Sequence, residues 1–70
     1  MSQRLSFAIK YQKQIDRCKN IITAYSMIGQ AAKLAIAVIQ EIIDEAEKAK
    51  AENNMMGMIK VYNEMKDVKK

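Results

Sequence analysis

The feature that most limits the fold of this chain is one long aliphatic stretch, from Ile21 to Ile43, which contains no proline. The residues on either side are more polar and carry nearly all the charge. Alanine and straight-chain residues, which are the strongest helix formers, are abundant throughout. Strict alternation of apolar and polar residues, which would indicate strands, does not extend over any useful length. The sequence therefore predicts an all-α fold.

Apolar residues recur at alternating intervals of three and four, the spacing of helices that pack at a shallow angle. In the first third of the chain they are Ala8, Tyr11, Ile15, Cys18, Ile22 and Tyr25. The same register continues through Gly29, Ala32, Ile36, Ile39, Ile43 and Ala46. Two structures fit this pattern. One is a single long helix in a coiled coil, and the other is a helical hairpin that turns near Gly29, because glycine commonly ends helices.

Charge favours the hairpin, because the first helix is basic and the C-terminal half of the second is acidic. A turn near Gly29 would place Arg17 near Glu41 and Lys13 near Glu45. Exposed ion pairs of this kind contribute only about 0–1 kcal/mol each, so they select the orientation of the helices more than they stabilise it. An antiparallel pair of two long helices would make similar contacts, and that alternative stays open.

We expect one small helical domain over residues 1–70. It should contain a hairpin of two helices, residues 3–28 and 30–52, and a short third helix over residues 55–68. A linker is predicted at residues 51–54, because its two asparagines favour helix ends and turns. These helices are predicted to assemble into an oligomeric bundle.

Oligomerisation is expected because half of the 70 residues are apolar, more than a monomer of this size hides easily. The second helix also carries Leu34 and Val38 outside its main apolar row, so its apolar face is too wide for one partner helix. The methionines from Met55 to Met65 would offer an adaptable surface to a protein partner. The residues predicted to form the oligomer or partner interface are Ile15, Ile22, Tyr25, Ile36, Ile39, Ile43, Met58 and Met65.

Catalytic residues, cofactors and metal ligands are not predicted. Without histidine, the common general base, the Ser-His and Cys-His nucleophiles and the usual zinc sites lack their residues. Cys18 is the only cysteine, so no intrachain disulfide can form. We expect Cys18 in the core, and an intermolecular disulfide at a dimer axis is the alternative. The favoured function is a non-enzymatic interaction or oligomerisation module, such as an accessory, adaptor or chaperone-like subunit.

A basic face on the first helix supports a second hypothesis, which is nucleic-acid binding. The net charge is +4, and the residues that would contact phosphates are Arg4, Lys10, Lys13 and Arg17. No known DNA- or RNA-binding motif accompanies them, so this function is not favoured. We expect no membrane partner, because Lys33 in the middle of the aliphatic stretch opposes insertion. The N-terminus lacks the apolar core of a secretion signal, and a cytoplasmic location is expected.

Overall fold

The computed structural model describes the backbone of residues 3–69 and the side chains of residues 5–69. Within that part of the chain, helix α1 spans Gln3–Ser26, a short 3-10 turn spans Gln30–Ala32, α2 spans Lys33–Ala51 and α3 spans Met55–Asp67. The described residues contain no β-strand. The predicted all-α class with three helices is therefore confirmed. Each helix packs against the other two.

The turn between α1 and α2 begins earlier than the sequence predicts, because α1 ends at Ser26. The next two backbone N–H groups, of Met27 and Ile28, bond to carbonyl groups only three residues back, which tightens the end of the helix. Gly29 then adopts φ 93° and ψ −148°, a conformation essentially restricted to glycine. The chain consequently forms the hairpin rather than one continuous helix, and α2 starts at Lys33 after the 3-10 turn.

The linker between α2 and α3 lies where the sequence predicts it. Asn53 takes a left-handed conformation with φ 55°, which asparagine tolerates better than most residues. The side-chain oxygen of Asn54 accepts a 3.1 Å hydrogen bond from the backbone N–H of Gly57, and so caps α3. A β-carbon on Gly57 would lie only 2.8 Å from Nδ2 of Asn54. The glycine therefore makes room for the cap.

The core lies between all three helices. Its buried side chains are Tyr11, Ile15, Cys18, Ile21, Ile39, Ile43, Ala46, Ala49, Met58, Val61 and Met65. Most follow the predicted intervals of three and four, but Ile21 is buried more completely than the predicted Ile22. Helix α1 packs against α3 as well as α2, so its buried face is wider than one partner helix requires. Phe7 of α1 makes an edge contact with the Tyr62 ring of α3, with the ring centroids 5.3 Å apart.

Polar contacts across the hairpin differ from those expected. Among the described side chains, the ion pair that joins α1 and α2 is Lys19–Glu47, with 3.6 Å between nitrogen and oxygen. Lys50 also donates a 2.7 Å hydrogen bond to the side-chain oxygen of Gln12. The predicted role of Arg17 in pairing with α2 needs correction. Its guanidinium instead donates to the backbone carbonyl of Met65 in α3, at 2.6 Å.

Candidate interaction surface

The residues that the sequence assigns to an interface occupy two kinds of position. Ile15, Ile39, Ile43, Met58 and Met65 are buried within the single chain. Ile22, Tyr25 and Ile36 are half-buried. The buried residues pack against other helices of the same chain. Helix α3 covers part of the apolar surface that, from the sequence, a second chain was expected to cover. In this structure, a second chain would meet a different set of side chains.

The outer face of the N-terminal half of α2 carries that set. Leu34 is 78% exposed and Val38 is 51% exposed, and both border an open groove of about 540 Å³. The groove is lined on α2 by Leu34, Ala35, Val38, Ile39 and Ile42, and elsewhere by Tyr25, by Ala31 of the 3-10 turn and by Val68 and Lys69. We call Ala31, Leu34, Ala35 and Val38, together with this groove, the α2 surface.

The α2 surface is open because α3 is too short to cover all of α2. At 1.5 Å per residue, the 19 residues of α2 extend about 28 Å and the 13 residues of α3 about 20 Å. Since α3 begins directly after the C-terminal end of α2, it packs against that end first. Accordingly Ala46 and Ala49 are buried, whereas Leu34 and Val38 are exposed.

Tyr25 holds the end of the groove in place. Its hydroxyl donates a 3.1 Å hydrogen bond to the backbone carbonyl of Lys69, just after α3. Val68, the residue before, is half-buried and packs against the core. The chain that leaves α3 is thereby fixed against α1, so that α1, α2 and the residues after α3 all contribute to the lining of the groove.

The α2 surface has little charge of its own. Residues 34–40 contain no charged side chain, and among the described residues Lys69 is the one charged residue that lines the groove. Lys33 and Glu41 stand immediately before and after this segment, and both are exposed. Neither makes an ion pair within the part of the chain that the structure describes. The segment of α2 between Lys33 and Glu41 thus contains no charged side chain.

The methionine-rich segment is divided between core and surface. Met58 and Met65 are buried, whereas Met55 is 36% and Met56 81% exposed. Ile59, 47% exposed, adds to this second apolar patch at the start of α3. A cavity of about 250 Å³ between α2 and the start of α3 has a mixed lining that includes Glu45, Lys48, Glu52 and Lys60. The apolar groove beside the α2 surface is not lined by Met55, Met56 or Ile59.

The basic face of α1 is smaller than the sequence predicts. Lys10 and Lys13 are exposed, whereas the side chain of Arg4 lies outside the described residues. Arg17 is half-buried and donates to the carbonyl of Met65 and, at 3.0 Å, to the side-chain oxygen of Gln14. A cation at that position also complements the negative end of the α3 dipole. The Arg17 guanidinium is thus already engaged within the fold.

Two buried groups have altered acid–base properties. Burial, and secondly the carboxylate of Glu47, raise the pKa of Tyr11 to about 12. Burial also raises the pKa of the Cys18 thiol, although the nearby charge of Arg17 opposes this shift. Cys18 is fully buried, as the sequence indicates, so its sulfur is enclosed by the fold and is not placed for a disulfide between chains. A protonated, enclosed thiol is a poor nucleophile.

Within the described residues, no three His, Cys, Asp or Glu side chains lie close enough together to bind a metal ion. None of the described helices combines the length and the apolar character needed to cross a bilayer. No family model, curated protein or solved structure is significantly similar to the chain.

Proposed function

We propose that this protein is a non-enzymatic helical module that associates with a second copy of itself through the α2 surface. Two copies would bury the exposed side chains of Leu34 and Val38 against each other and cover the groove beside them. In this role the protein would serve as an oligomerisation unit or an accessory subunit in a larger assembly.

The observation that carries this proposal is the exposure of Leu34 and Val38 beside an apolar groove. Burial of a leucine or valine side chain contributes roughly 1.5–3 kcal/mol. A dimer would bury two copies of each side chain. Against this gain, the loss of translational and rotational freedom on association costs roughly 4–15 kcal/mol. The two terms are of similar size, so we expect weak association that depends on protein concentration.

A second copy suits this surface because the surface contains both projections and recesses. Leu34 and Val38 project, while the small side chains of Ala31 and Ala35 line the groove beside them. A two-fold interface needs both features on one patch, because the same patch meets itself. Residues 34–40 contain no charged side chain, so no like charges from this segment would meet at the contact.

Nucleic-acid binding through Arg4, Lys10, Lys13 and Arg17 is the alternative function, and it has less support. Arg17 makes two hydrogen bonds within the fold, so contact with a phosphate would compete with them. That leaves Lys10 and Lys13 as the free cations of the predicted face whose side chains are described. Few phosphate contacts give weak binding that disappears as salt increases.

Analytical ultracentrifugation of two matched double variants tests the proposal. Leu34→Glu with Val38→Glu places two carboxylates on the α2 surface. Met56→Glu with Ile59→Glu makes the same change in charge on the exposed apolar patch at the start of α3, which does not line the groove. All four positions are exposed, so helicity measured by circular dichroism should persist in both variants.

The wild-type chain should form a defined oligomer between about 1 µM and 1 mM, and the oligomer should survive high salt because apolar burial holds it together. The first double variant should remain monomeric, and the second should match the wild type. A wild-type chain that is monomeric throughout this range would refute the proposal. Loss of the oligomer in the second variant alone would move the interface to the start of α3.

A further inference from the structure

We infer that the turn between α1 and α2 docks on an anionic lipid surface, where Met27 and Ile28 enter the headgroup layer and Lys33 pairs with lipid phosphates. We call residues 27–30, which form this turn, the hairpin tip. The inference goes beyond the proposed function, because Met27 and Ile28 do not line the groove of the α2 surface. It concerns docking at the membrane surface and needs no helix that crosses the bilayer.

The hairpin tip carries two of the four most exposed large apolar side chains among the described residues. Met27 is 84% exposed and Ile28 is 62% exposed. Their backbone N–H groups bond to the carbonyls of Ala24 and Tyr25, and Gly29 then turns the chain with φ 93°. The two side chains therefore project from a hydrogen-bonded turn, which fixes their position at the apex of the hairpin.

The charge around the hairpin tip is sparse and positive. Residues 20–40 contain no acidic side chain, and Lys33 is their one charged residue. Lys33 is exposed and makes no ion pair among the described residues. It follows Gly29 after a 3-10 turn that rises about 2 Å per residue, so its backbone lies about 6–8 Å from Gly29. Interfacial segments bury their apolar side about 5–10 Å deep, which places Lys33 level with the headgroup phosphates.

The same lysine thus has opposite effects on two kinds of membrane contact. In the centre of a bilayer its charge opposes the insertion of a helix, which is why the sequence indicates no membrane partner. At the surface of an anionic membrane each lysine instead contributes favourable attraction. The position of Lys33 beside an exposed apolar turn is typical of the second kind of contact.

The hydroxyl groups near the hairpin tip are already hydrogen-bonded. Ser26 donates a 2.6 Å bond to the carbonyl of Thr23, and Thr23 donates a 3.2 Å bond to the carbonyl of Lys19. Transfer of a hydroxyl away from water is costly unless the group keeps a hydrogen bond. These bonds lower that cost where the end of α1 approaches the lipid.

An anionic lipid surface fits the hairpin tip better than a second copy does. Two tips in contact would bring two Lys33 side chains together, and residues 20–40 offer no acidic side chain to balance them. The tip also ends the hairpin of an elongated molecule, 42 × 20 × 17 Å, so it presents a narrow apex. A stable protein interface needs about 800 Å² on each partner, whereas lipid headgroups rearrange around a small projection.

The expected docking is weak and reversible. A myristoyl chain alone binds membranes with an association constant of about 10⁴ M⁻¹. The side chains of Met27 and Ile28 together have fewer apolar atoms than that chain, and Lys33 adds one electrostatic contact. We therefore expect half of the protein to be bound at roughly 1–10 mM anionic lipid.

Co-sedimentation with vesicles tests the contribution of the apolar side chains. The vesicles contain phosphatidylcholine with about one quarter phosphatidylglycerol. Met27→Glu with Ile28→Glu should weaken binding at least about tenfold, because carboxylates oppose insertion and are repelled by the anionic lipid. The control, Met56→Glu with Ile59→Glu, makes the same change in net charge at side chains of similar exposure and should weaken binding less than about threefold. Circular dichroism should show unchanged helicity in both variants.

A second pair of variants tests the role of Lys33. Lys33→Gln should weaken binding to the anionic vesicles about fivefold and leave binding to pure phosphatidylcholine unchanged. Lys13→Gln removes the same charge 13 residues before the end of α1, about 20 Å from the hairpin tip. That distance exceeds the screening length of about 10 Å at 0.1 M salt, so this control should stay within about twofold of the wild type.

Tryptophan fluorescence locates the part of the chain that enters the lipid. The sequence contains no tryptophan, so Ile28→Trp and Ile59→Trp each introduce a single probe. On anionic vesicles the emission of the Ile28→Trp chain should shift to shorter wavelength and be quenched by brominated lipid. The emission of the Ile59→Trp chain should not change.

The result expected is binding that depends on the hairpin tip and on Lys33, with quenching only in the Ile28→Trp chain. A wild-type chain that does not bind anionic vesicles at about 10 mM lipid would overturn the inference, as would equal loss in both double variants. Binding that survives Met27→Glu with Ile28→Glu but not Lys13→Gln would assign the contact to the basic face of α1 instead. Self-association is measured without lipid, so the proposed function stands or fails separately.

Discussion

The hydroxyl of Tyr11 donates a 2.7 Å hydrogen bond to the backbone carbonyl of Ala46, and both residues are buried between α1 and α2. The bond joins residues 35 positions apart in the sequence, so it connects the two arms of the hairpin. The Tyr11 ring also packs against Phe7, with centroids 5.7 Å apart. This contact thus combines apolar packing with one directional bond that fixes the alignment of the helices.

Removing the hydroxyl should weaken the hairpin by a small, measurable amount. Tyr11→Phe keeps the ring and loses one buried hydrogen bond, so it should lower the free energy of unfolding by about 0.5–1.5 kcal/mol. Urea denaturation gives the value. Tyr62→Phe is the control, because Tyr62 is only half-buried, and it should change the stability little. If both substitutions lowered the free energy of unfolding equally, the hydrogen bond to Ala46 would contribute no stability of its own.

The same hydroxyl should make stability depend on alkaline pH. The pKa of Tyr11 is about 12 in the folded chain and about 10 when unfolded, so between these values the folded state holds the proton more strongly. Its stabilising contribution is complete below pH 10 and is lost as pH rises toward 12, by as much as about 3 kcal/mol. Because lysines titrate in the same range, the quantity to measure is the difference between wild type and Tyr11→Phe. A difference that stays constant from pH 9 to pH 12 would contradict this prediction.

Gly29 should resist substitution even though space surrounds it. No atom lies within 4 Å of a β-carbon built there, but φ is 93° and ψ is −148°. Gly29→Ala should therefore destabilise the chain by about 1–3 kcal/mol through backbone strain alone. Thermal unfolding of the alanine variant can be compared with that of a synthetic chain carrying D-alanine at this position. The D-residue favours positive φ, so its stability should be close to wild type, and equal losses in both chains would point to a cause other than strain.

The cap of α3 should depend on the side chain of Asn54. Asn54→Ala removes the acceptor for the Gly57 N–H and should cost about 1 kcal/mol. Asn54→Asp keeps an acceptor oxygen and should preserve most of the stability. Hydrogen exchange at the first amides of α3 would localise the effect. Unchanged protection in the alanine variant would show that the cap does not stabilise this helix.

The intervals of three and four predicted the helices, the distribution of charge favoured the hairpin over one long helix, and the two asparagines predicted the linker at residues 51–54. They did not locate the end of α1. That end depends on the close backbone contacts of Met27 and Ile28 and on the conformation of Gly29, none of which changes the apolar pattern. The spacing also could not show that Ile21 is more deeply buried than Ile22. The packing of α3 on α1 is likewise a long-range contact that sequence spacing does not encode.

The candidate surface could be predicted only in part. The sequence indicates that α2 has too many apolar residues for one partner helix, and Leu34 and Val38 belong to that excess. Spacing alone could not determine which apolar residues α3 would cover, because that depends on where α3 packs along α2. Residues such as Ile39 and Ile43 were therefore predicted at an interface, although they pack within the chain. The hydrogen bond from Arg17 to α3 likewise could not be predicted from the sequence.

The most direct test of the proposed association is an isotope-filtered nuclear Overhauser experiment on a mixture of labelled and unlabelled wild-type chains. Only contacts between different copies give cross-peaks in such a sample. The account predicts cross-peaks from the methyl groups of Leu34 and Val38 to protons of the other copy. An absence of cross-peaks between chains at millimolar concentration, or cross-peaks confined to Met56 and Ile59, would contradict it.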